Sequence, residues 1–174
     1  AHHAPMLLTG FEIPMRSLRK SFRDDELNDG DVIMFNDPYI GGQHVMDLIT
    51  FAPVRYQGNL VGFVGSIAHH ADMGGAVPGG VAGGLTEIYL EGLRFPMVKL
   101  CRRGKENQEI IGILTNNIRV PQKTLGDIRA QVSASFVGVQ RTRALYNKYS
   151  PATVQNCVDM LLDYSEKRIR EGLR

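Results

Sequence analysis

Two apolar runs joined by a very short connection constrain this sequence most strongly. Leu48 to Tyr56 and Leu60 to Ile67 are rich in β-branched and aromatic residues and have the length of strands. Gln57-Gly58-Asn59 separates the two runs, and so short a connection requires the strands to pair antiparallel as a hairpin. The sequence therefore predicts a sheet that is mainly antiparallel.

Further strands are predicted on both sides of this hairpin. Asp31 to Phe35 is an apolar run of strand length that ends at Asn36-Asp37-Pro38, where the proline favours an extended conformation for Asp37. A later run from Phe95 to Leu100 leads into a charged turn at Arg102 to Asn107. Between the hairpin and this run, six of the eleven residues from Gly74 to Gly84 are glycine, which disfavours regular structure and predicts a loop.

Helical periodicity is found near both ends of the chain. A short amphipathic helix is expected from Pro14 to Phe22, and a long helix from Asp127, acting as its cap, to about Lys148. Ser150-Pro151 predicts the start of a second long helix, whose apolar face comprises Val154, Val158, Leu161, Leu162 and Ile169. We expect an α+β fold with a mainly antiparallel sheet, a Gly-rich loop and two C-terminal helices. Residues 1–174 are expected to form a single segment that is sheet-rich over 28–100 and helical over 127–172.

Charge and cysteine content exclude several classes of function. Among 174 residues, 20 Lys and Arg are spread against 18 Asp and Glu, too little basic character for a nucleic-acid partner. Cys101 and Cys157 lack a C-x-x-C spacing and are expected to be free thiols of a cytoplasmic protein. The apolar stretch from Leu60 to Ala68 is far shorter than the roughly 20 residues of a membrane-spanning helix, so no membrane is expected. Because the chain begins at Ala1, we expect a segment of a longer protein.

Histidines and carboxylates cluster at the open end of the predicted hairpin. His44 and Asp47 lie just before its first strand, and His69-His70-Ala71-Asp72 follows its second strand. Since the start of one hairpin strand lies near the end of the other, His44 and Asp47 are expected to approach the segment from His69 to Asp72. Zn, Mn and Fe all accept two imidazoles and a carboxylate. A metal-free acid–base pair, or turn histidines that bond only to the backbone, are the alternatives.

Three further residues are candidates for catalysis. His70 follows His69 directly, so the two side chains are expected on opposite faces of the strand, and one of the two would support the site or serve the fold. Asp37 ends a buried strand and would lie near the same site, although an Asx turn that serves only the fold explains it equally well. Glu87 follows the glycine-rich segment and would move with it, whereas a solvated glutamate at a strand edge is the alternative.

The glycine-rich segment, residues 74–84, comes directly after the His69-His70-Ala71-Asp72 motif. Because it is tethered beside the proposed site, we expect a lid that closes over a ligand, with a plain linker as the alternative. Later in the chain, Asn116, Asn117 and Arg119 are expected to be polar loop residues that fix the turn into the long helix.

Nucleotide-binding motifs are absent from the sequence, which contains no G-x-x-x-x-G-K-[ST] loop and no G-x-G-x-x-G after a strand.

Several segments, taken in order along the chain, resemble the B-type chain of the ATP-dependent hydantoinase, 5-oxoprolinase and acetone carboxylase family. These segments are Asn36 to Asp47, Leu60 to Val64, Ala68 to Gly75, Thr86 to Tyr89, Glu91 to Arg94, Asn117 to Arg119 and Gly126 to Gln131.

The resemblance implies a divalent metal, Zn, Mn or Fe, held by His44, Asp47 and His69. It also implies that an A-type partner subunit of the actin-like kinase fold handles ATP. The chain would then belong to a hetero-oligomeric, ATP-dependent hydrolase that opens a cyclic amide or imide ring, with Asp37, His70 and Glu87 as catalytic candidates. A subunit of an ATP-dependent ketone carboxylase and a non-catalytic structural subunit are the alternatives.

Overall fold

A computed structural model describes residues 10–173 of the chain. The described residues fall into two compact units, divided between Val139 and Gln140. The helices and strands, in chain order, are α1 (Glu12–Ser21), β1 (Val32–Phe35), β2 (Asp47–Tyr56), β3 (Asn59–His69), β4 (Val98–Arg102), β5 (Lys105–Glu106), α2 (Gln108–Asn117), α3 (Pro121–Lys148) and α4 (Pro151–Gly172).

The first unit is built around a five-stranded sheet with the order β3-β2-β1-β4-β5. All its neighbouring strands pair antiparallel, which confirms the α+β fold with an antiparallel sheet. The predicted hairpin is also confirmed, with β2 and β3 paired from Asp47↔His69 to Tyr56↔Asn59. Gln57 and Gly58 form its turn with φ of 50° and 83°, the left-handed backbone that matches the twist of a two-residue hairpin.

Strands β1 and β2 are buried on both faces. Alternate residues of β1 and β2 pack into different clusters because successive strand side chains point to opposite sides. Ile33, Phe35, Ile49 and Phe51 pack with Leu18 of α1 on one side. On the other side, a second cluster joins the sheet to α2 and α3 through Val32, Met34, Leu48, Ala52, Leu114, Ile128 and Val132. Burial on both faces explains why these strands are continuous apolar runs in the sequence.

Several elements differ from the sequence prediction; α1, for example, begins at Glu12 rather than Pro14. Strand β4 begins at Val98 rather than Phe95, because Phe95 bonds to Asn36 outside the ladder and Pro96 has no N–H to donate. The charged turn after it contains the short strand β5. Helix α3 begins at Pro121, six residues before Asp127, which is therefore inside the helix and not its cap. Proline suits the first turn of a helix because its missing N–H would have no partner there.

Helix α2 was not predicted. Its sequence contains Gly112 and ends in Asn116 and Asn117, which are all weak helix formers. The two asparagines were expected in a loop, but they lie in the last turn of this helix. The Asn107 side chain caps its start by accepting from Glu109 N at 3.1 Å, and Leu114 is fully buried in the core. Packing and capping therefore override a weak local propensity.

The second unit comprises the last turns of α3 and helix α4. Ser150 caps α4 by accepting from Thr153 N at 3.2 Å, and Pro151 occupies its first turn, which confirms the predicted start. The apolar face of α4 is exposed in the described part of the chain, at Val158, Leu161, Leu162 and Ile169. In residues 10–173, no helix has the length and apolar character needed to cross a membrane. Both cysteines are free, and burial raises the pKa of Cys101 to about 11.

Candidate metal centre

The register of the hairpin brings three side chains to one end of the sheet. Asp47 is the first residue of β2 and is the cross-strand partner of His69, the last residue of β3. His44 precedes β2 in a tight turn, in which Asp47 N donates to His44 O at 2.9 Å. The imidazole of His44 is thereby folded back over the start of the hairpin.

The Asp47 carboxylate joins the two imidazoles. His44 Nδ1 lies 2.6 Å from Asp47 Oδ2, and His69 Nδ1 lies 2.7 Å from Asp47 Oδ1. His44 N donates to Oδ2 as well, at 3.0 Å. The Nδ1 side of each ring therefore faces this carboxylate. One buried side chain thus sets the orientation of both imidazoles.

The three side chains differ in solvent exposure. The Asp47 side chain is 2% exposed, whereas those of His44 and His69 are 67% and 55% exposed. One candidate ligand atom from each lies within 4.8 Å of the others. Imidazole nitrogen with carboxylate oxygen is the donor set that Zn, Mn and Fe accept, and the exposed rings leave room for further ligands. The residues present therefore fit a divalent metal.

A cavity of about 370 Å³ adjoins the two histidines. Gly79 and Gly80 of the glycine-rich segment line it together with His44 and His69. The remaining lining residues are mostly apolar: Val45, Met46, Val81, Ala82, Leu85 and Glu91. Its volume lies within the range of small-molecule sites. The arrangement combines two imidazoles with an apolar wall of a size that suits a small molecule.

A family model described as hydantoinase B/oxoprolinase matches the chain over residues 1–174. The chain belongs to the hydantoinase B/oxoprolinase family. The resemblance identified from the sequence motifs is thus confirmed. The B-type chain of a putative D-/L-hydantoinase from a Pseudomonas species is 40% identical over 154 residues, which is 87% of this chain and 26% of that relative.

Two solved structures are similar to this chain. The crystal structure of the ATP-dependent caprolactamase from Pseudomonas jessenii superposes with a TM-score of 0.85 and 36% identity, over 99% of this chain and 29% of that one. A nucleotide-free acetone carboxylase structure has a TM-score of 0.71 at 19% identity, over 82% of this chain and 18% of that one, and so shares the fold. The hydantoinase B family chain therefore spans less than a third of these relatives.

His70 lies apart from the cavity in this family member. It is buried, and its Nε2 lies 3.4 Å from Gln131 Oε1 of α3. Gln131 Nε2 donates to Leu48 O at 2.9 Å and Ser66 O at 3.1 Å, so its Oε1 is left to accept from His70. Burial lowers the pKa of His70 and favours the neutral ring. The residue ties the end of the hairpin to α3.

Asp37 and Glu87 are placed differently from the metal-site candidates. Asp37 accepts from Tyr39 N at 3.0 Å, which is an Asx turn, and its Oδ1 lies 3.8 Å from Arg94 Nη1. Glu87 is exposed and lies just before the 3₁₀ turn Ile88–Leu90. Neither residue is among those lining the cavity, whereas Glu91, four residues after Glu87, is. Their catalytic roles stay predictions.

Asn36 is a positioning residue that sequence reasoning missed. The side chain is fully buried, and its Nδ2 donates to Val45 O at 2.6 Å and to Leu93 O at 2.8 Å. Its Oδ1 accepts from Phe95 N at 2.6 Å. One amide thus fastens the chain next to His44 to the segment that follows the glycine-rich loop. Its place directly after an apolar strand was the available signal, because a polar side chain there must find buried partners.

Proposed function

We propose that this chain is part of the B-type subunit of an ATP-dependent hydrolase that opens a small cyclic amide or imide. In this proposal His44, Asp47 and His69 hold a divalent metal, and ATP is used on an A-type partner subunit. The observation that carries it is the buried Asp47 carboxylate, which orders two exposed imidazoles at the mouth of an apolar cavity. A bound divalent ion would lower the pKa of a water ligand toward ~7 and stabilise charge on a carbonyl oxygen.

The residues of the chain have separate tasks in this proposal. Asp47 positions both rings beside its own oxygens, so that all three side chains can bind one ion. Val45, Met46 and the segment around Val81 provide an apolar wall for the ring of the substrate. The glycines at 79 and 80 allow the backbone to approach that ring closely. Buried His70 joins the end of the hairpin to α3 through Gln131, and its catalytic role stays a prediction.

The comparisons support hydrolysis over carboxylation. The caprolactamase structure matches nearly the whole chain at 36% identity, whereas the acetone carboxylase structure is only 19% identical over a smaller part. The first relative acts on a lactam by its name, and the family description refers to hydantoinase and oxoprolinase. A cyclic amide is the chemistry these names share, and amide hydrolysis needs both activated water and stabilisation of the oxyanion.

The experiment compares the full-length wild-type protein with His44→Ala, each assembled with the ATP-binding subunit. Wild type should contain about one equivalent of divalent metal and hydrolyse a lactam or a hydantoin with ATP, whereas His44→Ala should lose most of both. Chelation should also lower the melting temperature of wild type, because a metal at 100 times its Kd stabilises the fold by about 2.7 kcal/mol.

Other results would favour the alternatives. Equal and negligible metal in wild type and His44→Ala contradicts the ligand assignment. Carboxylated product from a ketone and bicarbonate, without ring opening, supports a carboxylase. Activity that requires a second B-type chain with an intact site supports a structural subunit.

Gly80 offers a test of the cavity wall. Its φ is +65°, and an added Cβ would lie 2.7 Å from Glu91 O. The backbone at this position is therefore packed against Glu91 in a conformation that favours glycine. Gly80→Ala should destabilise the fold by about 1–3 kcal/mol and slow turnover, because the segment must move away from Glu91. Gly83→Ala is the matched control: that position faces open space without a left-handed φ. Thermal unfolding and steady-state kinetics measure both, and equal effects would argue against a shaped wall.

A further inference from the structure

Arg119 and Asp72 form an ion pair at the beginning of the glycine-rich segment. Arg119 Nη1 donates to Asp72 Oδ1 at 2.7 Å, and Arg119 backbone N donates to Asp72 Oδ2 at 2.7 Å. Gly74 N donates to the same carboxylate at 3.2 Å. The Asp72 side chain is 8% exposed, so these three donors, and not bulk water, are the partners of its carboxylate oxygens. The pair joins the connection between α2 and α3 to the end of the hairpin.

The same guanidinium also bonds to two consecutive glycine carbonyls. Arg119 Nη2 donates to Gly75 O at 2.7 Å, and Nη1 lies 3.4 Å from Gly74 O. Both glycines have a φ near +85°, a conformation that L side chains rarely adopt. A planar guanidinium can reach a carboxylate and a carbonyl from separate nitrogens, whereas an ammonium group is a single point of charge. The contact between Arg119 and the two carbonyls therefore needs both the forked guanidinium of arginine and the left-handed backbone of Gly74 and Gly75.

The opposite side of the segment is held by a second set of bonds. Leu93 N donates to Met73 O at 2.7 Å, and Ala76 N donates to Leu90 O at 2.7 Å. Residues 73–76 are thereby clamped between Arg119 and residues 90–93. Three positions later, Gly79 begins the stretch that lines the cavity beside His44 and His69. Arg119 therefore fixes the backbone just before the residues that line the cavity, although it is not itself one of the lining residues.

We propose that Arg119 is a positioning residue for the substrate cavity, holding the glycine-rich segment in the conformation that forms one wall. This inference rests on the proposed function. Loss of the clamp lowers the fraction of molecules with a formed wall, and the apparent affinity for substrate falls by the same fraction. The metal site is left intact, because Arg119 contacts none of His44, Asp47 and His69 in the described bonds.

The test is Arg119→Lys in the full-length protein assembled with its ATP-binding subunit. Lysine keeps a positive charge beside buried Asp72, so the fold is retained, but it cannot make the forked contact to Gly75 O. If the wall is formed in about a tenth of the molecules, KM for the cyclic amide rises about tenfold while kcat and metal content change little. Amide hydrogen exchange in peptides spanning 76–87 should become about tenfold faster.

Arg129→Lys is the matched control. Arg129 makes an equally forked contact to Glu106, at 2.7 and 3.0 Å, but lies on the exposed face of α3. It should leave KM and the exchange of 76–87 unchanged. An Arg119→Lys protein with a lower melting temperature but wild-type KM and exchange would overturn the positioning role. Absence of cyclic amide hydrolysis in wild type would overturn the proposed function instead, and the exchange rates would still decide whether Arg119 orders the segment.

Discussion

Replacing Asp47 with asparagine is expected to lower the affinity of the proposed centre for its metal by about 100-fold and to remove most of the activity. The asparagine amide is neutral and nearly the same size, so the buried position stays filled. However, it offers one oxygen where the carboxylate accepts from both His44 Nδ1 and His69 Nδ1. At least one ring then loses its contact with the carboxylate and its orientation, and the centre loses a charged oxygen ligand.

Metal content by elemental analysis and turnover of a lactam measure this effect in the full-length protein. Asp163→Asn is the control, because Asp163 is exposed on α4 and the same change there removes a charge without touching the site. Full metal content in Asp47→Asn would mean that this carboxylate neither binds nor orients a metal, and the proposed centre would have to be given up.

Replacing Asn36 with alanine is expected to destabilise the protein by about 4 kcal/mol, because three buried backbone groups lose their partner at once. These groups are Val45 O, Leu93 O and Phe95 N. The loss is large against a total stability of about 5–15 kcal/mol. Val45 follows His44 directly, so we also expect weaker metal binding in the variant that remains folded.

Chemical denaturation of the full-length protein measures the change in stability. Asn36→Asp provides a second variant, which keeps the acceptor for Phe95 N but loses both donated bonds and should be destabilised as well. Asn156→Ala on exposed α4 is the control and should stay within about 0.5 kcal/mol of wild type. A loss of similar size at Asn36 and Asn156 would show that the buried amide contributes no particular support.

Sequence reasoning succeeded where neighbouring residues decide the structure. The hairpin follows from two apolar runs and a turn at Gln57 and Gly58, and the start of α4 follows from Ser150 and Pro151. The meeting of His44, Asp47 and His69 is a consequence of that hairpin register. It could be predicted because antiparallel pairing across a short turn leaves one arrangement for the strand ends.

Prediction failed where the deciding contact is distant in the chain. Helix α2 has weak local propensity and is stabilised by burial of Leu114. Strand β4 starts late because Phe95 is bonded to Asn36, a contact across 59 residues. Arg119 does lie in the predicted loop before α3, but its partner Asp72 is 47 residues earlier in the chain, so the ion pair could not be predicted from neighbouring residues.

The antiparallel hairpin, the family and the three side chains at the end of the hairpin follow from local patterns of residues. The groups that surround those side chains depend on tertiary packing: the burial of Asp47, the cavity wall at Gly79 and Gly80, and the bonds made by Asn36 and Arg119. The difference lies in the range of the forces involved. Turn sterics and strand alternation act between near neighbours, whereas buried amides and ion pairs obtain their partners only when distant segments pack together.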